Sequence, residues 1–364
     1  MNALDSNSAA IANHCGFCNT GILSKAGNDD NLECINCGIC YDHERLAVAN
    51  DDGSYWCEIP KESMAALLHE ARSGGWRTAL ELWLSKDLSD QRHLLFGENR
   101  ADWLIHATAN PVQCLDVGGG FGQVAWLLSQ DAKRQVISLE KTRERAQFQT
   151  IRRNQEKRDN LTIVNGDFFD TPFQCESFDI ISFIGVFEWL GTSSNEIDPD
   201  VLQQTALEKS FDALKPGGCL CLGIENRVSF KYLLGARDHT GLRFTSIMPR
   251  KLADLWVSFR TPEFNSNTAY KYRTLTYSPA GYKRLLEVSG FEKVEIRLAF
   301  PNYTNPKCIL EPSNSIIARF MSDIYQASSS RDAVFARIFK GLARIGLGVI
   351  TAPYLYVYGY KPEQ

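Results

Sequence analysis

Two groups of residues in the 364-residue chain have types and spacings that can do chemistry. The first runs from Val112 to Glu140. A short apolar run ends in an acid, Asp116. Glycines follow at Gly118, Gly119, Gly120 and Gly122, then an apolar periodic segment, Val124–Leu128, and a β-rich run, Gln135–Leu139, ending in Glu140. Glycines let the backbone turn tightly and come close to a ligand. A helix start offers free N–H groups, and an acid at the tip of the second strand can accept both hydroxyls of a ribose. Strand, glycine turn, helix, strand and acid together point to a nucleoside-bearing cofactor. The D-x-G-x-G-x-G spacing from Asp116 is shorter than the G-x-G-x-x-G of dinucleotide folds. It is also flanked by an acid, which suits a cationic sulfonium with an amino-acid tail. The second group is six of the eleven cysteines, crowded into the first 57 residues. Cys15-x2-Cys18 and Cys34-x2-Cys37 are fifteen residues apart, and two such thiolate pairs can close a tetrahedral zinc site. Cys40 forms a further C-x2-C with Cys37 and could replace one ligand. His14 and His43 are weaker candidates.

The elements that must position these groups read as an α/β protein. Apolar spacing of three and four predicts helices over Ser63–Ala71, Trp76–Leu84 and Asn99–Ala107, with Gly74-Gly75 breaking the first pair. Thr142–Lys157 reads as a polar helix with a solvated, arginine-rich face. Further strands are expected at Leu161–Val164, Phe178–Ile184, Cys219–Ile224, Val294–Leu298 and Tyr354–Tyr360. Helices are expected at Val201–Leu214 and Pro279–Ser289, and Lys215-Pro216-Gly217-Gly218 reads as a helix stop. Cys114, Cys219 and Cys221 fall in the core strands as small buried apolar residues. The segment PNYTNPKCILEP reads as loop. Ala333–Ile345 is an amphipathic helix, with Arg337, Lys340 and Arg344 on one side and Val334, Phe335, Ile338, Phe339, Leu342 and Ile345 on the other. It is expected to pack on the domain, with membrane-surface contact as the weaker alternative.

LDVGGGFGQ resembles the first motif of class I S-adenosylmethionine methyltransferases, and LKPGG followed by an apolar strand is typical of the same family. The resemblance covers roughly residues 95–299 and the last strand, while residues 14–40 resemble a zinc ribbon. It implies a Rossmann-like seven-stranded methyltransferase sheet with helices on both faces, plus a small N-terminal zinc ribbon. It also implies S-adenosylmethionine as cofactor and structural zinc on Cys15, Cys18, Cys34 and Cys37. The cofactor residues it implies are Asp116, Gly118, Gly120, Gly122, Glu140 and Lys141, then Asp167 and Phe168 beside the adenine, and Gly185 in the segment lining the transfer site. Gly119 stands where the family often has Cys or another small residue, a departure expected to be harmless. The expected organisation is a ribbon segment over 1–58, a helical cover over 59–110, and the methyltransferase domain over 111–364 with insertions at 225–278 and 300–353. The first insertion, with its ENR, KYLLGARDHTG and LRFTS stretches, resembles a bacterial subgroup acting on surface glycans and natural products.

A hydroxyl acceptor gains from a general base, for which His is the usual choice near neutral pH. His239 is the candidate. Glu188 and Glu225 follow strands four and five at the rim where open α/β sheets bind ligands. Asp238 is adjacent to His239 but need not face it. Arg227, Lys231, Arg237 and Arg243 together could hold an anionic group. The expected function is methyl transfer to a small molecule or glycan, most readily at a hydroxyl oxygen. The alternatives are a macromolecule methyltransferase that docks RNA or protein through the ribbon, and a non-catalytic S-adenosylmethionine-binding protein. A net charge of −4, and one Lys against three acids within His14–Gly38, argue against nucleic acid. No apolar run approaches a membrane span, the first residues lack the pattern of a signal peptide, and a cytoplasmic location is the expectation.

Overall fold

The computed structural model describes residues 15, 17–18, 23–25, 31–42, 46–49, 53–57, 59–84, 96–97, 99–108, 110–260, 272–327 and 329–363. The candidates His14 and His43 lie outside the described residues. The chain falls into two compact units, Met1–Ala101 with Ala109–Ile181, and Asp102–Thr108 with Ser182–Gln364.

In the first unit four short strands, β1 (Leu23–Lys25), β2 (Leu32–Cys34), β3 (Cys40–Tyr41) and β4 (Ala47–Val48), precede the helices α1 (Lys61–Gly74) and α2 (Trp76–Leu84). Then come β5 (Gln113–Val117), α3 (Gln123–Leu128), β6 (Gln135–Glu140), α4 (Arg143–Glu156) and β7 (Leu161–Asn165). Within this unit the strand order is β1-β2-β3-β4-β7-β6-β5. β1 to β4 pair antiparallel, whereas β4–β7, β7–β6 and β6–β5 are parallel. β6 is buried along Val136–Glu140, as a parallel strand covered on both faces must be. The ribbon and the parallel sheet thus share one ladder: Ala47 lies opposite Val164 and Val48 opposite Asn165. α1, α2 and α4 pack together through Met64, Leu67, Trp76, Leu80, Phe148 and Ile151. The expectation of a solvated face on α4 is corrected at Arg152. Its guanidinium lies between the rings of Trp76 and Trp126, 4.1 and 4.5 Å from their centroids. Burial pushes its pKa down to about 9, and the two π faces offset part of the lost hydration.

β8 (Phe178–Ile184) carries the chain from the first unit into the second. There α5 (Pro199–Ala213), β9 (Leu214–Glu225), α6 (Phe230–Leu233), α7 (Arg250–Arg260), α8 (Pro279–Val288) and β10 (Val294–Phe300) follow. The unit closes with β11 (Cys308–Leu310), α9 (Asn314–Asp323), α10 (Ser330–Arg344), α11 (Gly348–Thr351) and β12 (Tyr354–Tyr360). The order here is β9-β12-β10-β11, antiparallel at every step. Together these strands make the α/β methyltransferase fold with a mixed sheet. Three local expectations are corrected or extended. Lys215–Gly218 does follow the end of the helix at Ala213, as a stop should, but its residues enter β9 because the far end of the chain supplies partners: Gly217 N donates to Lys361 O and Lys361 N to Gly218 O. The PNYTNPKCILEP loop contains an edge strand, β11, on β10. The helix expected at Asn99–Ala107 is a 3-10 turn, Asp102–His106, anchored by the Tyr358 hydroxyl donating to Trp103 O at 3.0 Å. On α10 the apolar side is used internally. Phe339 is fully buried, Phe335 and Phe339 pack on Phe230, and only Val334 and Ile345 of the expected stripe are strongly exposed. Among the described residues no helix is long and apolar enough to cross a membrane.

Candidate functional site

The glycine turn of the first unit is held from three sides. Gly118 N and Gly119 N both donate to Leu139 O, at 2.8 and 3.0 Å, which fixes the turn over the end of β6. Gly120 N donates to Glu140 Oε2 at 2.7 Å. From α4, Gln149 Nε2 donates to Gly120 O at 2.8 Å, and Arg152 Nη1 to Gln123 Oε1 at 3.0 Å. Gly120 has φ +57, and a Cβ there would meet nothing within 4 Å, so the turn presents open backbone on that side. Gly119 differs: a Cβ would lie 2.1 Å from Ser138 Oγ and 3.0 Å from Gln149 Nε2.

Glu140 is buried, and burial raises its pKa against the opposing pull of Arg145 and the N–H groups of Thr142 and Gly120. Thr142 N donates to its Oε1 at 2.8 Å. Each carboxylate oxygen therefore accepts from one backbone N–H and keeps a further lone pair. At the end of β7, Lys141 Nζ meets Asp167 Oδ2 at 2.8 Å, and Asp167 Oδ1 accepts from Phe169 N at 2.8 Å. Phe168 is buried against Phe169 and Phe173. Asp116 is also buried. Of the expected cofactor residues, Asp116, Gly118, Gly120, Gly122, Glu140, Lys141, Asp167 and Phe168 all belong to this unit. The open turn and the two strand-tip carboxylates fit a cationic nucleoside. Gly185 belongs to the second unit, where it has φ +75 and faces the Tyr303 ring.

In the same first unit, the sulfurs of Cys15, Cys18, Cys34 and Cys37 all lie within 4.8 Å of one another. Asn36 N donates to Cys34 Sγ at 3.4 Å and Asn36 Nδ2 to Cys18 Sγ at 3.7 Å. The Tyr41 hydroxyl is 3.2 Å from Cys15 Sγ. Four converging sulfurs, two of them receiving N–H donors, fit a tetrahedral metal such as zinc. Cys40 is exposed on β3 and lies outside the group.

The second unit gathers the three catalytic candidates. Glu188 sits fully buried on a 3-10 turn, Phe187–Thr192, Glu225 ends β9, and His239 comes from the loop after α6. His239 Nε2 is 3.4 Å from Glu225 Oε2 and 3.8 Å from Glu188 Oε1. Neither contact has hydrogen-bond geometry. Among the described residues His239 Nε2 and Glu188 Oε2 are buried atoms with no hydrogen-bond partner. Burial pushes the Glu188 carboxyl up to about 7. Glu225 behaves oppositely. Burial raises it, but Lys231 and His239, with hydrogen bonds from Lys231 and Tyr232, hold its carboxyl below the usual range. Lys231 Nζ lies 2.7 Å from Glu225 Oε1 and 3.3 Å from the Tyr354 hydroxyl, and the Tyr232 hydroxyl donates to Glu225 Oε2.

Other side chains brace this cluster. The Tyr303 hydroxyl donates to Glu188 Oε1 at 3.4 Å, and Tyr356 holds the Tyr303 carbonyl. The Trp189 ring stands edge-on to His239, with centroids 4.7 Å apart. Arg273 Nε donates to Gly191 O at 2.6 Å, and its Nη2 reaches Ser194 O and Ile197 O, which fixes the turn bearing Glu188. Asp238 serves its own loop, accepting from Thr240 and Ser246. Three of the four expected cations have partners for their side chains. Lys231 pairs with Glu225, Arg227 donates to the carbonyls of Ser246 and Met248, and Arg237 donates to Gly241 O. Among the described residues Arg243 is joined to Arg237 through the backbone alone. Sequence reasoning missed Tyr303, Tyr232 and Arg273, whereas Trp189 falls in the segment that the resemblance implies lines the transfer site.

Residues 115–222 match the model of a family described as a methyltransferase domain. The chain carries a methyltransferase domain. No curated protein matches the chain. Among solved structures it is similar to Haemonchus contortus phosphoethanolamine N-methyltransferase 2 in complex with S-adenosyl-L-methionine, at 14% identity and a TM-score of 0.43, over 81% of this chain and 60% of that one. A possible histamine N-methyltransferase of Thermotoga maritima is similar at 14% identity and TM-score 0.41, over 80% and 99% of the two chains. Geranyl diphosphate C-methyltransferase of Streptomyces coelicolor is similar at 14% identity and TM-score 0.40, over 81% and 87%. The chain thus spans about three fifths of the length of the nematode enzyme. These likenesses do not bear on what the chain methylates.

Proposed function

We propose that the protein is an S-adenosylmethionine-dependent methyltransferase acting on a small-molecule or glycan acceptor at a hydroxyl oxygen. One observation carries the choice of a hydroxyl: a histidine nitrogen and a carboxyl oxygen, both buried and both without a hydrogen-bond partner among the described residues, lie in one cluster. Such atoms cost stability unless a ligand group completes them.

In this reading Gly118, Gly120 and Gly122, together with Asp116, would hold the amino-acid and ribose end of the cofactor. Glu140 accepts the ribose hydroxyls, and Asp167 and Phe168 hold the adenine. S-adenosylmethionine supplies an electrophilic methyl group on a sulfonium. His239 would take the acceptor's hydroxyl proton at Nε2. Glu225, kept ionised by Lys231 and Tyr232, stabilises the resulting imidazolium from 3.4 Å. Glu188 titrates near 7, so it can hold or release a proton beside His239. Tyr303 and Arg273 are positioning residues for Glu188. The four cysteines hold structural zinc, which gives a short hairpin segment the stability that burial cannot supply.

The test begins with calorimetric titration by S-adenosylmethionine and S-adenosylhomocysteine. Transfer of labelled methyl to a panel of hydroxylated metabolites and glycans, wild type against His239→Gln, follows. The reading expects binding of both nucleosides and a loss of about 10²-fold or more in turnover for the variant. Turnover confined to amines, or unchanged in His239→Gln, overturns the hydroxyl assignment.

A further inference from the structure

The cysteine ribbon is built onto the end of the cofactor cradle that faces the nucleoside, through three independent connections, all within the first unit. The first is the sheet: β4 pairs with β7 up to Asn165, and Ala49 N donates to Asn165 O at 3.0 Å. Asn165 Nδ2 in turn donates to Glu140 O and Lys141 O, at 3.1 and 2.9 Å. The second is aromatic. Phe17 lies between two of the four cysteines, its N–H donates to Tyr41, and its ring is 6.0 Å from Phe173. Phe173 is 5.6 Å from Phe168, the residue beside Asp167. The third is the segment leaving the ribbon. Trp56 N donates to Thr142 Oγ1 at 3.1 Å, and Thr142 Oγ1 donates to Trp56 O at 3.0 Å. Thr142 N is the donor to Glu140 Oε1. A four-sulfur staple used only for folding would not need to reach Asn165, Phe173 and Thr142 together.

We propose that the ribbon is the rear support of the adenosine subsite, so that loading its metal strengthens cofactor binding, with Phe17 and Thr142 as positioning residues. The proposal rests on the reading of residues 116–168 as an S-adenosylmethionine site. Without the metal the knuckle bearing Phe17 loses its closure. Phe173 then loses its outer partner and Phe168 its backing, while the acid that meets the ribose is loosened through Thr142. The effect falls on the nucleoside and not on the amino-acid tail.

The experiment is calorimetric titration of the full chain with S-adenosylhomocysteine and with 5′-methylthioadenosine, which lacks the tail. It uses metal-loaded wild type, chelated wild type, and loaded Phe17→Ala, Phe17→Leu and Thr142→Val, with metal content and thermal unfolding recorded on each sample. Phe17→Ala keeps all four cysteines and is expected to keep about one metal ion. It should bind both ligands about three- to tenfold more weakly, the range that an aromatic pair is worth. Phe17→Leu should recover part of the loss, and the chelated protein should bind at least as weakly as Phe17→Ala. Wild-type affinity in both the chelated protein and loaded Phe17→Ala overturns the proposal, as does a loss seen for S-adenosylhomocysteine but not for 5′-methylthioadenosine. Loaded wild type that binds neither ligand overturns the cofactor reading itself, a result distinguishable from the other two.

Discussion

Replacing Glu188 with Gln should make the protein more stable at high pH while removing a group proposed to work. Glu188 is fully buried, and burial moves its carboxyl from an ordinary value of about 4.5 to about 7. Between those values the folded state keeps a proton that the unfolded chain has released. The group's contribution is therefore complete below about pH 4.5 and is lost as pH rises through 7. At about 1.4 kcal/mol per pH unit, the loss between pH 5 and pH 8 amounts to about 3 kcal/mol. Glutamine has nearly the same shape, can still accept from Tyr303, and cannot ionise. The stability difference, Glu188→Gln minus wild type, should therefore grow by about 3 kcal/mol from pH 5 to pH 8. The assay is urea unfolding of both proteins across that range, with metal held constant. Groups that titrate in both proteins cancel in the difference. A difference that changes by less than about 1 kcal/mol across the range, outside the error of extrapolation, would refute burial as the cause of the shift.

Two further outcomes concern the scaffolds of the two clusters. Gly119→Ala places a methyl group 2.1 Å from Ser138 Oγ and should cost about 1–3 kcal/mol in thermal unfolding and weaken S-adenosylhomocysteine binding. Adding Ser138→Ala should recover part of both losses, and an additive double variant would show that the contact is not the cause. Arg273→Ala leaves the carbonyls of Gly191, Ser194 and Ile197 without their guanidinium donor. It should cost about 3 kcal/mol or more in chemical unfolding, with Arg273→Lys intermediate because an ammonium cannot span the fork.

The parts of this fold visible in the sequence were those specified locally. The runs of β5, β6, β7 and β8, the glycine turn between Asp116 and Gln123, and the two C-x2-C pairs each depend on neighbours a few positions away, so periodicity and spacing reveal them. The His239–Glu188–Glu225 grouping was approached from the rim positions of strands four and five, and the geometry of that rim follows from sheet topology. What stayed hidden depends on distant partners. Tyr303 meets Glu188 across 115 positions and Arg273 reaches Gly191 across 82. Arg152 looked like a surface residue because nothing near it in sequence announces the rings of Trp76 and Trp126. β11 was hidden for the same reason. A three-residue strand carries no periodicity of its own and exists because β10 offers it an open edge.

The pairing of β4 with β7 also decides where the parallel sheet of the first unit ends. A buried parallel strand left at a border would present a row of unsatisfied N–H and C=O groups beside an apolar surface, a template for another chain. β4 covers Val164 and Asn165, and the sheet continues into antiparallel strands of two or three residues, too short to recruit a neighbour easily. The four cysteines stand guard over that border. If the four sulfurs hold the proposed metal, chelation is expected to open a seam along β7, and self-association of the chelated protein is the outcome to look for.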